Sequence, residues 1–325
     1  MPDQKKNLFI FNFNKHISSF LKGGLLFFTP VIIFCILLEL LILITPTSFS
    51  IIGNYFDEKQ ESLEIVIFGS SQILNSINPK FLEKPSINFS SGMQHHNTDF
   101  KILDQTRARL KNLKTVVFEV SYGHFEVRHN SRYFWKNNVF LKYYGVNLKD
   151  RNTYPSDYLL YTSNPAFFSR LLYGNYLKND GSYQYNAFGF NKNKYEGKFK
   201  TLNYDTILFN KSYVKINRRA DKNIFKHNVS FFYNMLDYCE NEGLNIVIIS
   251  PPTFNNYNDL RNPVILKRRD SILSVISEKY KNIYFLNSEQ DEKFTAKMFW
   301  DEKHLNPDGA ELFTSQLNEL INSIE

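Results

Sequence analysis

The chain has 325 residues, of which 43% are apolar and 22% charged, so it can form a large core and is not disordered throughout. The net charge of +7 is spread along the chain without a long run of like charges, so no nucleic-acid partner is expected. The two cysteines, Cys35 and Cys239, lie in unrelated segments, and no disulfide between them is expected.

The first predicted element is a membrane-spanning helix over residues 24–45, GLLFFTPVIIFCILLELLILIT. As a helix these residues would extend about 33 Å, which is enough to cross a bilayer core. The lysines that precede the segment predict that residues 1–23 stay in the cytoplasm and that the rest of the chain lies outside, in the periplasm or at the cell surface. A cleaved signal peptide is the alternative. An uncleaved single-pass anchor is favoured because the apolar run is long and ends without a small-x-small cleavage site.

Two features mark the outer end of this predicted anchor. Glu39 is the only charged residue between positions 24 and 45. It is interpreted either as a contact for a membrane partner or as a protonated or snorkelling side chain near the outer interface. Residues 46–62 are polar and rich in turn formers, and they are interpreted as a linker.

The remaining residues, 63–325, alternate short apolar runs with helical patterns, which predicts an α/β domain. The runs read as buried parallel strands over Glu64–Phe68, Ser86–Phe89, Thr115–Val120, Asn245–Ser250 and Asn282–Leu286. The helical patterns cover Asp99–Leu113, Asn223–Glu242, Val264–Tyr280 and Pro307–Ile324, with Asn306 as a cap for the last. We therefore expect a parallel sheet of about five strands with helices on both faces.

Residues 128–220 interrupt this alternation and are interpreted as an insertion. They are rich in Tyr, Phe, Asn and Lys and show weak periodicity. A segment of this length usually forms a lid or a binding surface. Extra packing over one edge of the sheet is the alternative.

The first candidate for chemistry is the sequence Gly69-Ser70-Ser71, which directly follows the first predicted strand. Ligands of open parallel sheets bind beyond the carboxyl ends of the strands, and a serine at the start of the next helix lies near free backbone N–H groups. A serine at this position can also act only as a helix cap, and this short stretch alone favours that simpler interpretation.

A second candidate lies near the C-terminus, in the sequence MFWDEKHLNPDGAELF. Asp301 and His304 are three residues apart, so the carboxylate can lie beside the imidazole. A serine is a weak nucleophile until a base takes its proton, and that base needs a group that orients it. Together with the serines after the first strand, the pair indicates nucleophilic catalysis.

With these two motifs the chain resembles the SGNH (GDSL-type) hydrolases, which carry Gly-Asp-Ser after the first strand and Asp-x-x-His near the end. The resemblance implies a three-layer, flavodoxin-like fold. It also implies that Ser71 is the nucleophile, His304 the base and Asp301 the residue that orients it. The family's second glycine block matches INFSSGMQ, so the backbone N–H groups of Ser71 and Gly92 are the expected oxyanion hole.

The third block of the family, Gly-x-Asn-Asp, is absent. This chain has VVFEVSYGHFE in its place, so the Asn donor of the oxyanion hole is missing. Ser121 or a neighbouring residue is considered as a substitute. Ser70, Ser121 and His124 are expected to lie next to the catalytic residues and to hold them in position.

The Gly-Ser-Ser sequence, the lost third block and the N-terminal anchor resemble a narrower group, the DltD-like and AlgX-like proteins. That resemblance implies an O-acyltransferase, with acetyl as the favoured acyl group, which modifies a cell-envelope polysaccharide through an acyl-serine intermediate. It also implies a membrane-bound O-acyltransferase partner. Two alternatives stay open: an esterase or deacetylase of acylated glycans with the same three residues, and a non-catalytic module that binds a glycan or a partner.

No cofactor and no metal are expected from the sequence. It contains neither a phosphate-binding loop nor a dinucleotide-binding glycine pattern. His95 and His96 are adjacent, but zinc would need a third ligand with suitable geometry, and no motif supplies one. They are interpreted as polar loop residues.

Overall fold

A computed structural model describes residues 13–128, 135–178 and 184–324 of the chain. Its centre is a five-stranded parallel sheet with the strand order β2-β1-β3-β4-β5. The strands are β1 (Ile65–Phe68), β2 (Ser86–Asn88), β3 (Thr115–Glu119), β4 (Asn245–Ser250) and β5 (Ile283–Asn287). All five predicted strands are thus confirmed. In this doubly wound order, the ligand crevice lies at the carboxyl ends of β1 and β3.

The helices of the described residues connect and cover these strands. They are α1 (Phe13–Ile44), α2 (Ser48–Lys59), α3 (Ser71–Ser76), α4 (His96–Thr106), α5 (Lys136–Tyr144), α6 (Pro165–Tyr173), α7 (Lys198–Thr201), α8 (Thr206–Lys211), α9 (Lys222–Asn241), α10 (Asn255–Asn258), α11 (Pro263–Lys279) and α12 (Pro307–Ile324). A short antiparallel ribbon, β6 (Phe299–Asp301) and β7 (His304–Leu305), precedes α12. The four predicted helices correspond to α4, α9, α11 and α12. Asn306 caps the last, because its Oδ1 accepts the N–H groups of Asp308 and Gly309 at 3.1 Å.

Successive residues of the central strands pack on opposite faces of the sheet. Val66 and Phe68 of β1 belong to a buried cluster that also contains side chains of α2, α4 and α9. Ile65 and Ile67 of the same strand belong to a second cluster with α3 and α12. Because the sheet is covered on both faces, its strands are apolar throughout rather than alternating. This arrangement confirms the predicted three-layer α/β fold.

The prediction of a linker over residues 46–62 is wrong, because most of that segment forms α2. Thr47 caps the helix: its Oγ1 accepts the N–H of Ser50 at 3.0 Å, and its own N–H donates to Ser50 Oγ at 2.9 Å. The helix buries Ile52 and Phe56 against the sheet. The polar residues that suggested a linker lie on the exposed side of an amphipathic helix.

The N-terminal helix α1 is longer than the predicted span. An 18-residue window within Ile17–Ile44 has a mean hydropathy of 2.8, so by length and composition this helix could cross a membrane. Residues 1–12 of the predicted cytoplasmic segment lie outside the described residues. Glu39 has partners within the chain itself, since its carboxylate accepts the backbone N–H groups of Leu160 and Tyr161 at 2.5 and 2.9 Å.

The predicted insertion, residues 128–220, contributes no strand to the sheet in its described part. Residues 135–178 pack against α1 and α2, where Val139, Leu160 and Phe168 surround Ile42. Residues 184–220 pack near the β6–β7 ribbon, and a few of them reach the crevice at the carboxyl edge of the sheet. One part of the insertion thus packs against α1 and α2, and the other part contributes residues to the wall of the crevice.

Candidate active site

The turn after β1 places Ser71 at the carboxyl edge of the sheet. Ser70 is the N-cap of α3, with its Oγ accepting the N–H of Gln72 at 3.2 Å, and Ser71 is the first residue of the helix. Gly69 allows this turn to be tight. A Cβ at position 69 would lie 2.5 Å from Ile73 Cγ1 and 2.9 Å from Glu119 Oε2. Only a glycine therefore fits between the strand and the helix.

The structure brings Ser71 together with the two C-terminal residues. Ser71 Oγ lies 2.9 Å from His304 Nε2. On the other side of the ring, His304 Nδ1 lies 2.8 and 2.9 Å from the two carboxylate oxygens of Asp301. The hydroxyl, the imidazole and the carboxylate thus form one continuous chain of hydrogen bonds, which is the arrangement that activates a serine nucleophile.

The β6–β7 ribbon sets the geometry of Asp301 and His304, which pair across its tight turn. Asp301 Oδ1 also accepts the backbone N–H groups of Lys303 and His304, both at 3.0 Å. The ribbon is attached to α3 by Gln72, whose Nε2 donates to the carbonyl of Lys303 at 3.2 Å. Burial would raise the pKa of Asp301, but the hydrogen bond and charge of His304 lower it below its usual value. Asp301 is therefore ionised at neutral pH.

Gly92 lies beside Ser71, where the sequence analysis expected it. A Cβ at position 92 would be 4.0 Å from Ser71 Cβ, and the N–H of Ser91 donates to the carbonyl of Gly69 at 3.1 Å. Toward the other described residues, the backbone N–H groups of Ser71 and Gly92 donate no hydrogen bond. Both are available to stabilise negative charge on a bound oxygen. Met93, the next residue, has a φ of 63°, a strained conformation that is often found beside functional sites.

Glu119, the last residue of β3, was missed by the sequence analysis. Its side chain is fully buried, with Oε2 accepting the N–H of Ser70 at 2.6 Å and Oε1 accepting the hydroxyl of Ser121 at 2.7 Å. His124 Nδ1 lies 3.7 Å from Oε1. Burial would raise the pKa of Glu119, but His124 and the hydrogen bonds from Ser70 and Ser121 lower it to about 2. Glu119 is therefore an anion at neutral pH.

The three residues expected to support the site thus meet at one carboxylate. Because the Ser121 hydroxyl donates to Glu119, its proton is not directed at a substrate oxygen in this arrangement. Ser121 therefore does not replace the missing Asn donor through its side chain. The sequence contained a signal for Glu119, since it is an acidic residue at the end of an otherwise apolar strand.

A cavity of about 410 Å³ opens next to Ser71. Its walls come from the loops after β1 and β3, from Met93 and His95, and from Lys215 and Asn217 of the insertion. Ser71 itself is only partly covered, so a small ligand can reach its hydroxyl. A concave site with a few polar groups beside a candidate nucleophile is typical of enzyme active sites.

His95, His96 and His124 form a buried cluster at one wall of this cavity, and their potential ligand atoms lie within 4.8 Å of one another. His95 Nδ1 accepts the N–H of His96 at 2.9 Å, and His95 Nε2 lies 2.5 Å from the carbonyl of His124. His96 Nε2 lies 2.8 Å from the carbonyl of Glu119. Both nitrogens of His95 are thus engaged, so three-histidine metal binding would require these hydrogen bonds to break. The arrangement fits a packed polar cluster.

One buried lysine and one half-buried lysine near the site were also missed. Lys136 Nζ contacts the carbonyl of Gly92 and lies 3.2 Å from Ser91 Oγ, and burial lowers its pKa to about 7. Lys194 Nζ donates to Asn75 Oδ1 at 2.7 Å. Burial lowers its pKa to about 8, although the nearby Asp301 carboxylate opposes this shift. Both lysines lie in the insertion, residues 128–220. Because the periodicity of that segment is weak, the sequence did not predict where these side chains lie.

No known family model matches the chain, and no curated protein matches it in sequence. Among solved structures it is similar to a GDSL-like lipase from Bacteroides thetaiotaomicron, with 9% identity and a TM-score of 0.40 over 84% of this chain and 100% of the other. It is also similar to a proposed acylhydrolase from Bacteroides fragilis, with 9% identity and a TM-score of 0.39 over 83% of this chain and 96% of the other. At these values neither protein's activity is transferred to this chain.

Proposed function

We propose that this chain is a serine acyl-transfer enzyme of the SGNH type. The observation that carries the proposal is the chain of hydrogen bonds from Ser71 Oγ through His304 to Asp301 at the mouth of a cavity. The motif resemblance and the doubly wound sheet support it, because an SGNH-type nucleophile is expected after β1 and its base near the C-terminus. A serine that only capped α3 would not need a histidine and a carboxylate aligned behind it.

In the proposed first half-reaction, Ser71 Oγ attacks the carbonyl carbon of an acyl donor while His304 Nε2 takes its proton. Asp301 holds the ring through Nδ1 and stabilises the imidazolium that forms. The backbone N–H groups of Ser71 and Gly92 stabilise the oxyanion. His304 then returns the proton to the departing group of the donor, and the acyl-serine remains.

In the second half-reaction, an acceptor hydroxyl gives its proton to His304 and attacks the acyl-serine. As the bond between the acyl group and Ser71 Oγ breaks, His304 returns the proton to Oγ, so the products are the acylated acceptor and free Ser71. We propose that the acceptor is a hydroxyl of a cell-envelope polysaccharide and that the acyl group is acetyl. Individual polar side chains in the cavity wall, including Lys215 and Asn217, support a hydroxyl-rich acceptor, as does the insertion that extends the cavity.

Water is the competing acceptor, and its use would make the protein an esterase or deacetylase. The observation that favours this second candidate is the open access to Ser71, since acyl transfer to sugars requires water to be kept out. A non-catalytic glycan-binding or partner-binding module is the third alternative, supported by the missing Asn of the third block.

We further propose that α1 anchors the enzyme in a membrane, with the N-terminus in the cytoplasm and the sheet domain outside. The length and apolar character of Ile17–Ile44 and the lysines before that stretch support this topology. An outer enzyme needs an activated acyl group from the cytoplasm, and a membrane-bound O-acyltransferase partner would supply it.

The test is to treat the full-length protein with a fluorophosphonate probe and to map the labelled peptide by mass spectrometry. We expect label on Ser71, little change in Ser70→Ala, and loss in Ser71→Ala and His304→Ala. Folded protein without label would overturn the catalytic proposal in favour of the binding module. If Ser71 is labelled, unlabelled protein is then given an acetyl ester with and without a soluble oligosaccharide, to distinguish a transferase from an esterase. Acetylated sugar indicates a transferase, whereas free acetate alone indicates an esterase.

A further inference from the structure

The candidate anchor helix α1 contacts the rest of the domain, because part of the insertion packs along its outer end. Ile42 of α1 is fully buried, in a cluster with Leu160, Phe168 and Leu171. Leu160, Phe168 and Leu171 belong to the segment 158–177, which we call the platform. The platform is thus joined to the candidate membrane helix by an apolar contact.

Glu39 strengthens this junction. Its carboxylate accepts the N–H groups of Leu160 and Tyr161, the residues at the start of the short helical turn Tyr161–Ser163. Glu39 lies five residues before the end of α1, which corresponds to about 8 Å along the helix. The platform is therefore held beside the helix just inside its outer end.

The platform exposes large apolar and aromatic side chains. Leu177 is 76% exposed, and about half of each of the other side chains in this group is exposed; the others are Tyr158, Leu159, Tyr173 and Tyr176. Tyr176 Oη lies 3.2 Å from Thr45 Oγ1, directly after the end of α1. Tyrosines are enriched at membrane–water interfaces, where an apolar ring and a polar hydroxyl each find a suitable surrounding.

The charge of the platform fits the same environment. Residues 158–177 contain Arg170 and no acidic residue, and Lys178 follows directly. Cations next to an apolar surface are attracted to the phosphates of lipid head groups. A cavity of about 420 Å³ between the platform and α1 is lined almost wholly by apolar side chains, including Val31, Ile36 and Leu159. Acyl chains can fill such a space.

We infer that the platform lies in the outer head-group layer of the bilayer and is a second membrane contact of this protein. The inference rests on the proposed membrane anchor and goes beyond it. An anchor alone would tether the domain on a flexible connection. The platform and the Glu39 contact instead hold the domain at one height and one orientation above the lipid surface, which would keep the cavity beside Ser71 at a constant distance from the membrane.

The test uses site-directed spin labels on the full-length protein in vesicles of equal parts phosphatidylcholine and phosphatidylglycerol. Cys35→Ala removes the exposed thiol, and the buried Cys239 is left in place. Single cysteines then replace Leu177 and Tyr158 on the platform, Leu26 in the anchor and Val275 on α11 as an exposed control. Collision with oxygen and with a water-soluble nickel chelate reports the depth of each label.

We expect the labels at positions 158 and 177 to collide several-fold less with nickel than the label at position 275, and less with oxygen than the label at position 26. If position 26 is as accessible to nickel as position 275, the anchor itself is wrong. If position 26 lies in the bilayer while 158 and 177 match 275, only the platform is wrong. Protection that occurs only after a membrane protein partner is added also overturns the lipid contact. Failure of Cys239 to react with a thiol reagent confirms that each variant is folded.

Discussion

Glu119 Oε2 accepts the backbone N–H of Ser70 at 2.6 Å, so a buried carboxylate at the end of β3 holds the turn that precedes Ser71. The same carboxylate receives the hydroxyl of Ser121. In the SGNH pattern this part of the chain would supply an Asn to the oxyanion hole. In this chain it supplies the Glu119 carboxylate, an anion that accepts a hydrogen bond from the turn before Ser71.

The first prediction concerns Glu119. Replacing Glu119 with Gln leaves the Ser70 N–H and the Ser121 hydroxyl with a weaker, neutral acceptor in a buried place. We expect the free energy of unfolding at neutral pH to fall by about 2–4 kcal/mol. Urea denaturation of the full-length protein measures this change. The exposed Glu311→Gln on α12 is the control, and equal midpoints for the two variants would contradict the role of Glu119.

The dependence of the unfolding free energy on acidic pH provides a second test of Glu119. The pKa of Glu119 is lowered from 4.5 to about 2 in the folded state. A lowered carboxyl pKa stabilises the fold above the unfolded value of 4.5, and this contribution is lost as the pH falls toward 2. It is on the order of 3 kcal/mol. We therefore expect the unfolding free energy of Glu119→Gln to depend less on pH in this window than that of the parent. Identical slopes would exclude the ionised Glu119.

The pair Asp301–His304 leads to a prediction about reactivity. In Asp301→Asn the ring of His304 loses the carboxylate that orients it and stabilises its protonated form. The rate of labelling of Ser71 by a fluorophosphonate should fall on the order of a thousandfold. Adding Asp301→Asn to His304→Ala should cause little further loss, because the two residues act as a unit. Losses that multiply would show that Asp301 acts independently of His304.

Gly69 and Gly92 form a matched pair for testing the backbone of the site. Gly69→Ala places a Cβ 2.5 Å from Ile73 Cγ1 and should destabilise the fold by about 1–3 kcal/mol. Gly92→Ala meets nothing closer than Lys136 Nζ at 3.8 Å, and the backbone N–H remains. It should preserve both stability and labelling of Ser71. Thermal unfolding of the two variants decides this, and a greater loss for Gly92→Ala would be inconsistent with the geometry.

The buried Lys136 leads to a prediction about how the free energy of unfolding changes between neutral and alkaline pH. Burial lowers its pKa from 10.5 to about 7, so between these values the unfolded chain binds a proton that the folded chain does not. Stability should therefore rise with pH across this window, by up to about 1.4 kcal/mol per pH unit. Lys136→Met removes the titrating group and should flatten that rise. The exposed Lys142→Met is the control, and it should retain the parent slope.

Local and short-range patterns in the sequence determined much of the fold. The five apolar runs became the five strands because a parallel sheet covered on both faces requires continuous apolar segments. Ser71 could be predicted as a candidate nucleophile because Gly69-Ser70-Ser71 directly follows a strand. Asp301 and His304 were readable because three residues separate them. The prediction failed for residues 46–62, where polar residues on one side of α2 concealed the buried Ile52 and Phe56.

The tertiary structure decided the contacts between residues that lie far apart in the chain. Glu119 and Ser70 are 49 positions apart, and Ser71 and His304 are 233 apart. No local pattern shows that the carboxyl ends of β1 and β3 and the β6–β7 ribbon meet, because the order of strands in the sheet brings them together. The same holds for Glu39, whose carboxylate finds its donors in the insertion. The sequence by itself therefore determined the strands and the candidate residues Ser71, Asp301 and His304, while packing across the sheet decided which residues touch.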